Sequence, residues 1–544
     1  MSSFTENPGV CPVATLHDAW LRSVRAHPDK DAIRDSHGTV FTYAEVDLLA
    51  SRVARYLCDC GVEAGDVVSC QLPGWAEFLP IYMACMKIGA VVNPIPPNLR
   101  FHELKQMLRR CGSKILFLPR TYRKFTYCGM AGDLRRAVPQ VRAIIAVDKF
   151  GEGSSLPSFR QIVEEDIAAP LRDEEIREAR AGVGADDPAA IVFTSGSEGE
   201  AKGVILSHRN ILAAERAFTT FFSLDEHEIM FMAAPIAHAI GFHHGVTMPF
   251  LVGATSILQD RFVGTEALEL MERHRATVTM ASSSFLYDML LAHRQKRYDM
   301  SALRFFLCGG SPADLAMSRE ALGFGMRVLN VYGATESVPH MGTPPGGTPE
   351  QLDRLALFPM PGVRVRVVDA RGNAVPDGEE GEEVSSSDAV FKGYIGMPEA
   401  TARALENGWY HSGDLCRRNS DGSYTITGRI KDVIVRGGEN ISSLEVETIL
   451  LKHDNIREAA VVSMPDARLQ ERICAYIVLK DPSRNVSFED ITELFSRNNV
   501  AKQKFPEHLE FVGALPKTPS GKIRKALLRE DIAKKMAARN GDQE

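Results

Sequence analysis

One glycine- and hydroxyl-rich segment stands out chemically: residues 194–203 have the sequence TSGSEGEAKG and join the apolar run AAIVF to the run VILSH. Glycines let successive backbone N–H groups turn towards an anion, and hydroxyls and a lysine add further donors. The segment predicts a loop that holds a polyphosphate, and a solvated hairpin is the alternative because short motifs often match by chance. It is not a Walker loop, which requires G-x-x-x-x-G-K-[ST]. The residues that carry the prediction are Thr194, Ser195, Gly196, Ser197, Gly199, Lys202 and Gly203.

Further motifs follow this segment in a fixed order. Together they resemble the adenylate-forming superfamily, which includes acyl- and aryl-CoA synthetases, adenylation domains of peptide synthetases, and luciferases. The resemblance covers nearly the whole chain, and the ordered set is far more specific than any one motif. The motifs are APIAH (234–238), CGGSP (308–312), NVYGATE (330–336), WYHSGDL (409–415), GRIKDVIVRGGENIS (428–442) and PKTPSGKIRK (516–525).

The resemblance implies two half-reactions that use ATP, Mg²⁺ and CoA. A carboxylate first attacks the α-phosphate of ATP and gives an acyl-adenylate and pyrophosphate. A thiol then attacks the acyl-adenylate and releases AMP. The substrate carboxylate is itself the nucleophile, so no nucleophilic side chain is expected. Because two anions must meet, the site needs cations and oriented N–H donors.

The family's phosphate loop corresponds by resemblance to Thr194, Ser195, Gly196 and Lys202. Family loops commonly have threonine and proline where this chain has Glu198 and Ala201. An uncompensated carboxylate about 4 Å from a phosphate would cost on the order of 4 kcal/mol at an effective dielectric constant of 20. We therefore expect Glu198 to point away from the phosphates or to pair with a cation; a role in ordering Mg²⁺ through water is the less favoured alternative, because Glu336 already offers the metal a carboxylate.

Other nucleotide contacts are implied by the motif NVYGATE. Glu336 matches the family's magnesium-associated glutamate, Thr335 would contact the α-phosphate, and Tyr332 would lie against adenine. One carboxylate together with phosphate oxygens suits Mg²⁺, which prefers oxygen ligands and retains water. Core packing is the alternative for Tyr332. The strip that resembles the lining of the adenine pocket is Gly309, Gly310 and Ser311.

Two later motifs supply a ribose site and a catalytic lysine. Asp414 resembles the ribose-binding aspartate, with Arg429 as its partner, and a turn residue is the alternative for Asp414. Lys522 resembles the lysine that enters the site for adenylation, where it would stabilise charge at the α-phosphate. Nearby basic residues are expected to be solvated or to contact the phosphates of CoA; these are Arg524, Lys525 and Arg529.

A hinge is implied at Lys431, between a large domain (1–430) and a small domain (431–544). Gly437 and Gly438 resemble the loop that approaches pantetheine after the small domain rotates. Glycine suits a narrow thiol tunnel because side chains would obstruct it.

The acyl substrate is predicted to be an apolar carboxylic acid. His238 matches the aromatic or histidine position that gates the acyl site, and a packed structural histidine is the alternative. The neighbouring pocket segments offer Ile240, Gly241 and Phe242 but no evident charged anchor. No acidic partner for a substrate ammonium is found, which disfavours an amino acid. Medium-chain, alicyclic, aryl and polycyclic acids all remain possible substrates, because apolar pockets discriminate only weakly between such acids.

Two other functions compete with acyl-CoA synthesis. One is an adenylating enzyme that loads the phosphopantetheine of an acyl carrier protein, although no recognisable carrier domain is appended. The other is a non-catalytic nucleotide-binding relative, suggested only by Glu198 and Ala201. The presence of the key charged residues argues against that second alternative; these are Lys202, Glu336, Asp414 and Lys522.

The elements that must position these residues alternate between strand-like and helix-like runs. Strand patterns at 67–72, 90–94 and 141–147, with a helix pattern at 77–88, predict βαβ units and a largely parallel sheet. After about Pro361, short alternating runs predict a smaller antiparallel unit, followed by a compact α+β region. The predicted fold is α/β: a large N-terminal domain of layered sheets with a small β subdomain, and a small mobile α+β C-terminal domain.

Composition limits the class of protein. The chain has 544 residues, a formal net charge of −7 and 44% hydrophobic residues. The acidic balance disfavours a nucleic-acid binder. Ten scattered cysteines without zinc spacing indicate a reduced, cytoplasmic protein. Neither a signal peptide nor a membrane-spanning segment is predicted.

Overall fold

The chain forms two compact units in a computed structural model. The first contains the described residues of 14–194, 201–364 and 386–410, and the second those of 365–385 and 411–541. The residues that the structure describes are 14–149, 156–164, 169–194, 201–310, 312–313, 315–347, 351, 355–436, 439–466, 469–498, 500–518 and 521–541.

A nine-stranded sheet forms one layer of the first unit. Its inner strands are parallel, and its ends are antiparallel hairpins. Strands such as Phe305–Gly309 are buried along their whole length, as expected for a sheet covered on both faces. The order across the sheet is Phe358–Pro359, Val338–Gly342, Val328–Ala334, Phe305–Gly309, Val278–Ala281, Ile229–Met232, Thr255–Leu258, Asp31–Asp35 and Val40–Thr42.

A seven-stranded sheet forms a second layer of the same unit. Its continuously apolar strands Val67–Cys70 and Ile115–Pro119 pair in parallel, while Gly203–Ser207 is antiparallel to both of its neighbours. The strand-like sequence runs at 67–72, 90–94 and 141–147 all lie here. The order is Gly393–Tyr394, Gly203–Ser207, Pro188–Phe193, Val91–Pro94, Val67–Cys70, Ile115–Pro119 and Ala143–Val147. A separate two-stranded hairpin joins Thr121–Tyr122 to Phe125–Thr126.

Helices cover these sheets, and side-chain caps begin several of them. Thr42 and Ser207 each accept a hydrogen bond from the backbone three residues later, which satisfies an otherwise unpaired N–H. The α-helices of the first unit are Leu16–Ala26, Tyr43–Asp59, Phe78–Ile88, Phe101–Arg110, Ala131–Ala137, Phe159–Glu164, Asp173–Ala179, His208–Phe222, Met248–Val252, Gly264–His274, Ser283–Gln295, Leu315–Gly323 and Pro398–Ala404. A 3₁₀-helix, Tyr127–Met130, and a π-helix, Ile240–Thr247, also lie among the described residues of this unit.

The second unit begins with short β-strands. Trp409–Arg418 and Tyr424–Arg429 form an antiparallel pair. Arg364–Val368 and Glu380–Ser386 extend this sheet. The two-residue strand Leu405–Glu406 belongs to the first unit, and it pairs there with Trp409 and Tyr410. This sheet is the small β subdomain that the sequence predicts.

The rest of the second unit is the compact α+β region. Ile456–Asp466 and Gln470–Leu479 form its long central hairpin, and apolar side chains pack on both faces of that hairpin. The other strands are Val433–Arg436, Glu439–Ser442 and His508–Phe511. The α-helices are Ser443–Leu450, Phe488–Arg497 and Lys525–Gly541, with 3₁₀-helices at Ile430–Asp432 and Lys502–Lys504.

The predicted fold class is confirmed, because α/β layers precede a β subdomain and a small α+β region. The boundary at 430/431 and the hinge at Lys431 stay predictions. In the part of the chain that the structure describes, every helix is too short or too polar to cross a membrane.

Candidate active site

The two ends of the predicted phosphate loop meet in the first unit. Thr194 directly follows the strand Pro188–Phe193, and Lys202 directly precedes the strand Gly203–Ser207. The backbone N–H of Thr194 donates a 2.9 Å hydrogen bond to the carbonyl of Lys202, which closes the hairpin. Ser195, Gly196 and Glu198 lie outside the described residues. The structure thus shows the base of the loop, where the backbones of Thr194 and Lys202 are joined by a hydrogen bond.

The turn that carries Thr335 and Glu336 connects two antiparallel strands, Val328–Ala334 and Val338–Gly342. The register shifts between Tyr332 and Gly333, as in a β-bulge. A Cβ at Gly333 would lie 2.2 Å from the carbonyl oxygen of Val338, so only glycine allows the strands to approach this closely. Such a tight turn fixes where the Glu336 backbone lies.

Tyr394 lies between Lys202 and Glu336. Its hydroxyl donates a 2.7 Å hydrogen bond to Oε1 of Glu336, and the ammonium group of Lys202 lies 5.1 Å from its ring centroid. Burial raises the pKa of the tyrosine, and the Glu336 carboxylate raises it further, so the hydroxyl keeps its proton. The structure therefore joins the predicted phosphate-loop lysine to the predicted metal carboxylate through a residue that the sequence analysis missed.

The residues present fit a magnesium ion that is shared with a nucleotide. The Oε1 atom of Glu336 is engaged by Tyr394, and the described residues offer no partner to Oε2. They also contain no cluster of three or more His, Cys, Asp or Glu side chains that could hold a metal by themselves. A single carboxylate oxygen completed by phosphate oxygens and water is the usual environment of Mg²⁺.

The ends of neighbouring parallel strands form an apolar wall around Gly309. A Cβ at Gly309 would lie 2.7 Å from Met280 Cε, 3.0 Å from Val331 Cγ2 and 3.8 Å from Ile240 Cδ1. Gly310, which follows the strand end, has a φ of +84°. Ser311 lies outside the described residues. This close packing explains the glycine pair in CGGSP and brings the predicted adenine strip against the predicted acyl pocket.

Tyr332 is half-buried on the strand before the turn, where its ring meets His340 edge-on at 5.2 Å. This position is compatible with either stacking on adenine or packing. The assignment to adenine therefore stays a prediction.

His238 lies just before the π-helix Ile240–Thr247. Its Nδ1 accepts a 3.2 Å hydrogen bond from the backbone N–H of Ile240, and its carbonyl accepts one from Phe242. Helices of this kind are rare and often occur at functional sites. The side chain is half-buried, so it is placed by local hydrogen bonds at the edge of the apolar segment.

A buried carboxylate holds the middle of that π-helix. Glu215 accepts hydrogen bonds from Nδ1 of His243 at 3.0 Å and from Nδ1 of His244 at 3.2 Å, and both imidazoles are fully buried. Burial alone would raise the pKa of Glu215, but the two imidazoles outweigh it and hold the pKa at about 2. Both carboxylate oxygens of Glu215 are hydrogen-bonded inside the core, so this carboxylate is not available to pair with the ammonium group of a substrate.

The predicted ribose site lies in the second unit. Asp414 is on the strand Trp409–Arg418, and its cross-strand partner is Arg429. Arg429 Nε lies 2.9 Å from Asp414 Oδ1. Asp414 is therefore a strand residue, and the alternative of a turn residue is wrong because the ladder to Arg429 continues through it. Ser412 Oγ also accepts a hydrogen bond from the Asp414 backbone N–H at 3.1 Å.

Around the predicted hinge, Lys431 lies in the 3₁₀-helix Ile430–Asp432. The adjacent Asp432 accepts a 2.8 Å hydrogen bond from Arg529 on the C-terminal helix. Lys525, on the same helix, pairs with Glu447 at 2.7 Å. These two basic side chains are thus paired within the unit and are not simply solvated. Gly437 and Gly438 lie outside the described residues.

Lys522 lies in a tight loop before the C-terminal helix Lys525–Gly541. Thr518 shapes this loop: its backbone N–H donates to the carbonyl of Lys522 at 2.8 Å, and its hydroxyl accepts from the N–H of Lys522 at 3.1 Å. Ile523 packs on the central hairpin of the unit. A lysine at the tip of an anchored loop can be presented to an anion with little loss of backbone entropy.

Two residues around these sites were not identified from the sequence. Tyr394 belongs to the run KGYIGMPEAT, where an isolated tyrosine resembles an ordinary core residue. Glu382 accepts hydrogen bonds from the Gly413 backbone at 3.0 Å and from His411 at 2.9 Å, and it thereby supports the segment that carries Asp414. Neither residue shares a local motif with its partner, so spacing alone gave no signal.

Family models match both parts of the chain. The model "AMP-binding enzyme" matches residues 20–395, and the model "AMP-binding enzyme C-terminal domain" matches residues 445–522.

Individual relatives agree with the family models. The chain is 44% identical to the medium-chain fatty-acid–CoA ligase of Escherichia coli, over 96% of this chain and 91% of that protein. It is 33% identical to the feruloyl-CoA synthase of an Amycolatopsis species, over 94% and 98%. The crystal structure of the anthranilate CoA ligase AuaEII in complex with anthranoyl-AMP has the same fold, with a TM-score of 0.85 and 23% identity over 97% of this chain and 99% of that one. The chain therefore belongs to the AMP-binding enzyme family, within the adenylate-forming superfamily.

Proposed function

We propose that this chain is an ATP-dependent acyl-CoA synthetase that activates an apolar, medium-chain carboxylic acid and transfers it to CoA. The observation that carries the proposal is the 44% identity, over almost the whole chain, to a medium-chain fatty-acid–CoA ligase. The aryl-specific relative is less similar, at 33% identity. The enzyme class is thus an AMP-forming acid–thiol ligase. The length of the acyl chain is the more specific part of the proposal.

The apolar character of the candidate acyl site supports a hydrocarbon substrate. The π-helix Ile240–Thr247 is buried throughout, and the side chains of Ile240, Met280 and Val331 all lie within 4 Å of where a Cβ would stand on Gly309. The nearby carboxylate of Glu215 is occupied by two imidazoles. Apolar walls of this kind discriminate between chain lengths by only about 1–3 kcal/mol per methylene, so a preference for a range of acids is expected.

In the proposed first half-reaction, a carboxylate oxygen of the acid attacks the α-phosphorus of ATP. The bond from the α-phosphorus to the bridging oxygen breaks, and pyrophosphate leaves with the electron pair. Lys522 stabilises the charge that develops at the α-phosphate, and Thr335 donates to the same phosphate. Lys202 and the base of the loop at Thr194, together with Ser195 and Gly196, bind the other phosphates. The protein acts here by positioning and by charge stabilisation.

The nucleoside would be held at both of its ends. Asp414 accepts hydrogen bonds from the two ribose hydroxyls while Arg429 orients the carboxylate. Tyr332 lies against adenine beside the strip Gly309–Ser311. When bound, Mg²⁺ neutralises phosphate charge, and Glu336 is the residue that holds it.

In the proposed second half-reaction, the thiol of CoA gives up its proton to water and its sulfur attacks the acyl carbon; the bond from that carbon to the phosphate oxygen breaks, and AMP leaves with the electron pair. Gly437 and Gly438 would line the pantetheine path, and His238 would gate the acyl end of the site. A small domain that begins at Lys431 would rotate between the two half-reactions. We place the enzyme in the cytoplasm, where free CoA and ATP are available.

A panel of acids tests the proposal. Saturated acids of increasing length, an alicyclic acid and hydroxycinnamic acids would each be incubated with ATP, Mg²⁺ and CoA, and acyl-CoA, AMP and pyrophosphate measured by mass spectrometry and a coupled assay. Medium-chain acids should give the highest kcat/KM, with AMP and pyrophosphate in equal amounts. ADP and phosphate as products would exclude adenylation, and a hydroxycinnamate preference would replace the proposed acid class.

The acyl acceptor is tested in the same experiment. We propose CoA, and the alternative acceptor is the phosphopantetheine of an acyl carrier protein. Both thiols would be offered at equal concentration with one preferred acid. Acylated carrier without acyl-CoA would overturn the choice of CoA.

A further inference from the structure

Tyr394 occupies a bridging position between the two sheets of the first unit. Its strand pairs with Gly203–Ser207, with Tyr394 opposite Val204 just after Lys202. On the other side, the backbone N–H of Phe391 donates to the carbonyl of Glu336 at 2.8 Å. The short segment 391–394 is therefore bonded both to the strand that follows the phosphate loop and to the turn that carries the metal carboxylate.

Several contacts together fix the orientation of the Tyr394 side chain. Its backbone N–H donates to the hydroxyl of Thr401 at 2.9 Å, and that hydroxyl donates to the carbonyl of Met397 at 3.0 Å. The ring packs on Phe391 at 4.8 Å, and only 7% of the residue is exposed. A ring fixed in this way can aim its hydroxyl at one atom of a neighbouring carboxylate.

The contacts of Tyr394 separate two opposite charges. Its hydroxyl engages one oxygen of Glu336, and its ring face meets the ammonium group of Lys202. Among the described residues, no carboxylate lies within ion-pairing distance of Lys202. If Lys202 paired directly with Glu336, neither the lysine cation nor the carboxylate oxygen would be available to a magnesium-bound nucleotide. A cation over an aromatic ring is stabilised without having its charge neutralised by a carboxylate.

We propose that Tyr394 is a positioning residue for the magnesium–ATP complex: it orients Glu336 through its hydroxyl and keeps Lys202 apart from that carboxylate through its ring. This inference rests on the proposed function. The hydroxyl leaves the second oxygen of Glu336 for the cation, and the ring leaves the lysine for the phosphates. The two effects belong to different atoms of one side chain, so substitutions can separate them.

Calorimetric titration of the full-length protein with ATP at several Mg²⁺ concentrations tests the hydroxyl. Tyr394→Phe keeps the ring and removes the hydroxyl. Mg²⁺ tightens ATP binding, and the Mg²⁺ concentration that gives half of this effect should rise roughly tenfold, as expected for a lost hydrogen bond to a charged group. Binding of AMP without Mg²⁺ should stay within about twofold of the wild type. In a Glu336→Gln background the same substitution should add less than about twofold, because coupled residues are not additive.

The ring is tested with Tyr394→Leu. Without the ring, Lys202 can pair with Glu336, so ATP binding at saturating Mg²⁺ should weaken at least about threefold beyond Tyr394→Phe. Tyr410→Phe is the matched control for Tyr394→Phe. It also removes a buried tyrosine hydroxyl from the same aromatic cluster, and its ring lies 5.9 Å from that of Phe391. Thermal unfolding of every variant identifies any that does not fold.

Distinct outcomes overturn the inference. An unchanged Mg²⁺ dependence in folded Tyr394→Phe, or an equal effect in the wild-type and Glu336→Gln backgrounds, would mean that the hydroxyl only packs. Equal ATP binding by the Leu and Phe variants would remove the role of the ring. If the wild type binds magnesium–ATP but makes no acyl-CoA from any acid, the proposed function fails while this inference stands.

Discussion

Arg529 donates a 2.8 Å hydrogen bond to Asp432, and this ion pair ties the C-terminal helix to the residue next to the predicted hinge. The burial of Asp432 would raise its pKa, but Lys525 and Arg529 outweigh it and keep the pKa below its usual value. The segment that carries Lys522 is therefore anchored at two points: Lys525 pairs with Glu447, and Arg529 pairs with Asp432. We expect the loop of Lys522 and the hinge to move as one body.

Arg529→Gln should loosen this anchor. The substitution leaves Asp432 without its charged partner, which should cost about 1–3 kcal/mol locally. Hydrogen exchange measured by mass spectrometry should be faster in the helix Lys525–Gly541. Adenylation, measured separately by pyrophosphate release, should be slower. Lys534→Gln, an exposed change on the same helix, is the control. Unchanged exchange in that helix would show that the ion pair does not anchor it.

Lys522→Ala should reduce adenylation by at least about 100-fold while sparing thioester formation from a supplied acyl-adenylate. The reason is that its charge serves only the transition state in which the carboxylate attacks the α-phosphate. Pyrophosphate release and acyl-CoA formation from acyl-AMP would be measured separately. Arg524→Ala is the matched control, because that exposed cation lies in the same loop. Equal losses in both half-reactions would assign Lys522 a structural role.

Asp414→Ala should weaken ATP binding by about 1.5–3 kcal/mol, the value of a hydrogen bond to a charged group. The loss should be nearly absent for a 2′,3′-dideoxy analogue of ATP, which lacks the ribose hydroxyls. Calorimetric titration with both nucleotides measures the difference. Glu382→Gln tests the support of the strand and should weaken ATP binding less. Equal losses for ATP and its dideoxy analogue would contradict the ribose assignment.

Lys431→Pro should affect the two half-reactions unequally. Proline fixes φ near −65° and removes a backbone donor, so a rotation about this residue would be hindered. Single-turnover rates of adenylation and of thioester formation would be compared with those of Lys431→Ala, which removes the side chain but not the rotation. Wild-type rates for both steps in a folded proline variant would argue against a hinge here.

Acid should destabilise the first unit. Burial lowers the pKa of His243 in the folded chain, and it lowers the pKa of His208 to about 4. Below about pH 6.5 the unfolded chain takes up protons that the folded chain does not, so stability falls by up to about 1.4 kcal/mol per pH unit for each such histidine, until the folded histidine is itself protonated, near pH 4 for His208. Glu215, with a pKa of about 2, adds a further loss only below about pH 4.5.

Asparagine is a useful replacement for His243 because its amide can keep the donor to Glu215 without titrating. Between pH 7 and 5.5, His243→Asn should lose about 1 kcal/mol less stability than the wild type, measured by urea unfolding. His227→Asn is the control, since His227 is exposed. An identical pH dependence in wild type and His243→Asn would show that this histidine does not titrate on unfolding.

Much of the fold could be read from local patterns. The apolar runs at 67–72 and 141–147 became buried parallel strands, and the helix predicted at 77–88 spans Phe78–Ile88. The motif order also gave the family and the reaction class. These features depend on residues that are close in sequence, where side-chain periodicity and turn chemistry act directly.

The tertiary structure alone placed Tyr394 between Lys202 and Glu336, and Glu215 beneath His243 and His244. It also paired Arg529 with Asp432, 97 residues away, whereas the sequence led us to expect that Arg529 is solvated or contacts the phosphates of CoA. Such contacts join elements that are distant along the chain, and no local pattern specifies which polar groups will meet. They form because a polar or charged group that is buried without a partner costs several kcal/mol, so packing brings complementary groups together from different elements.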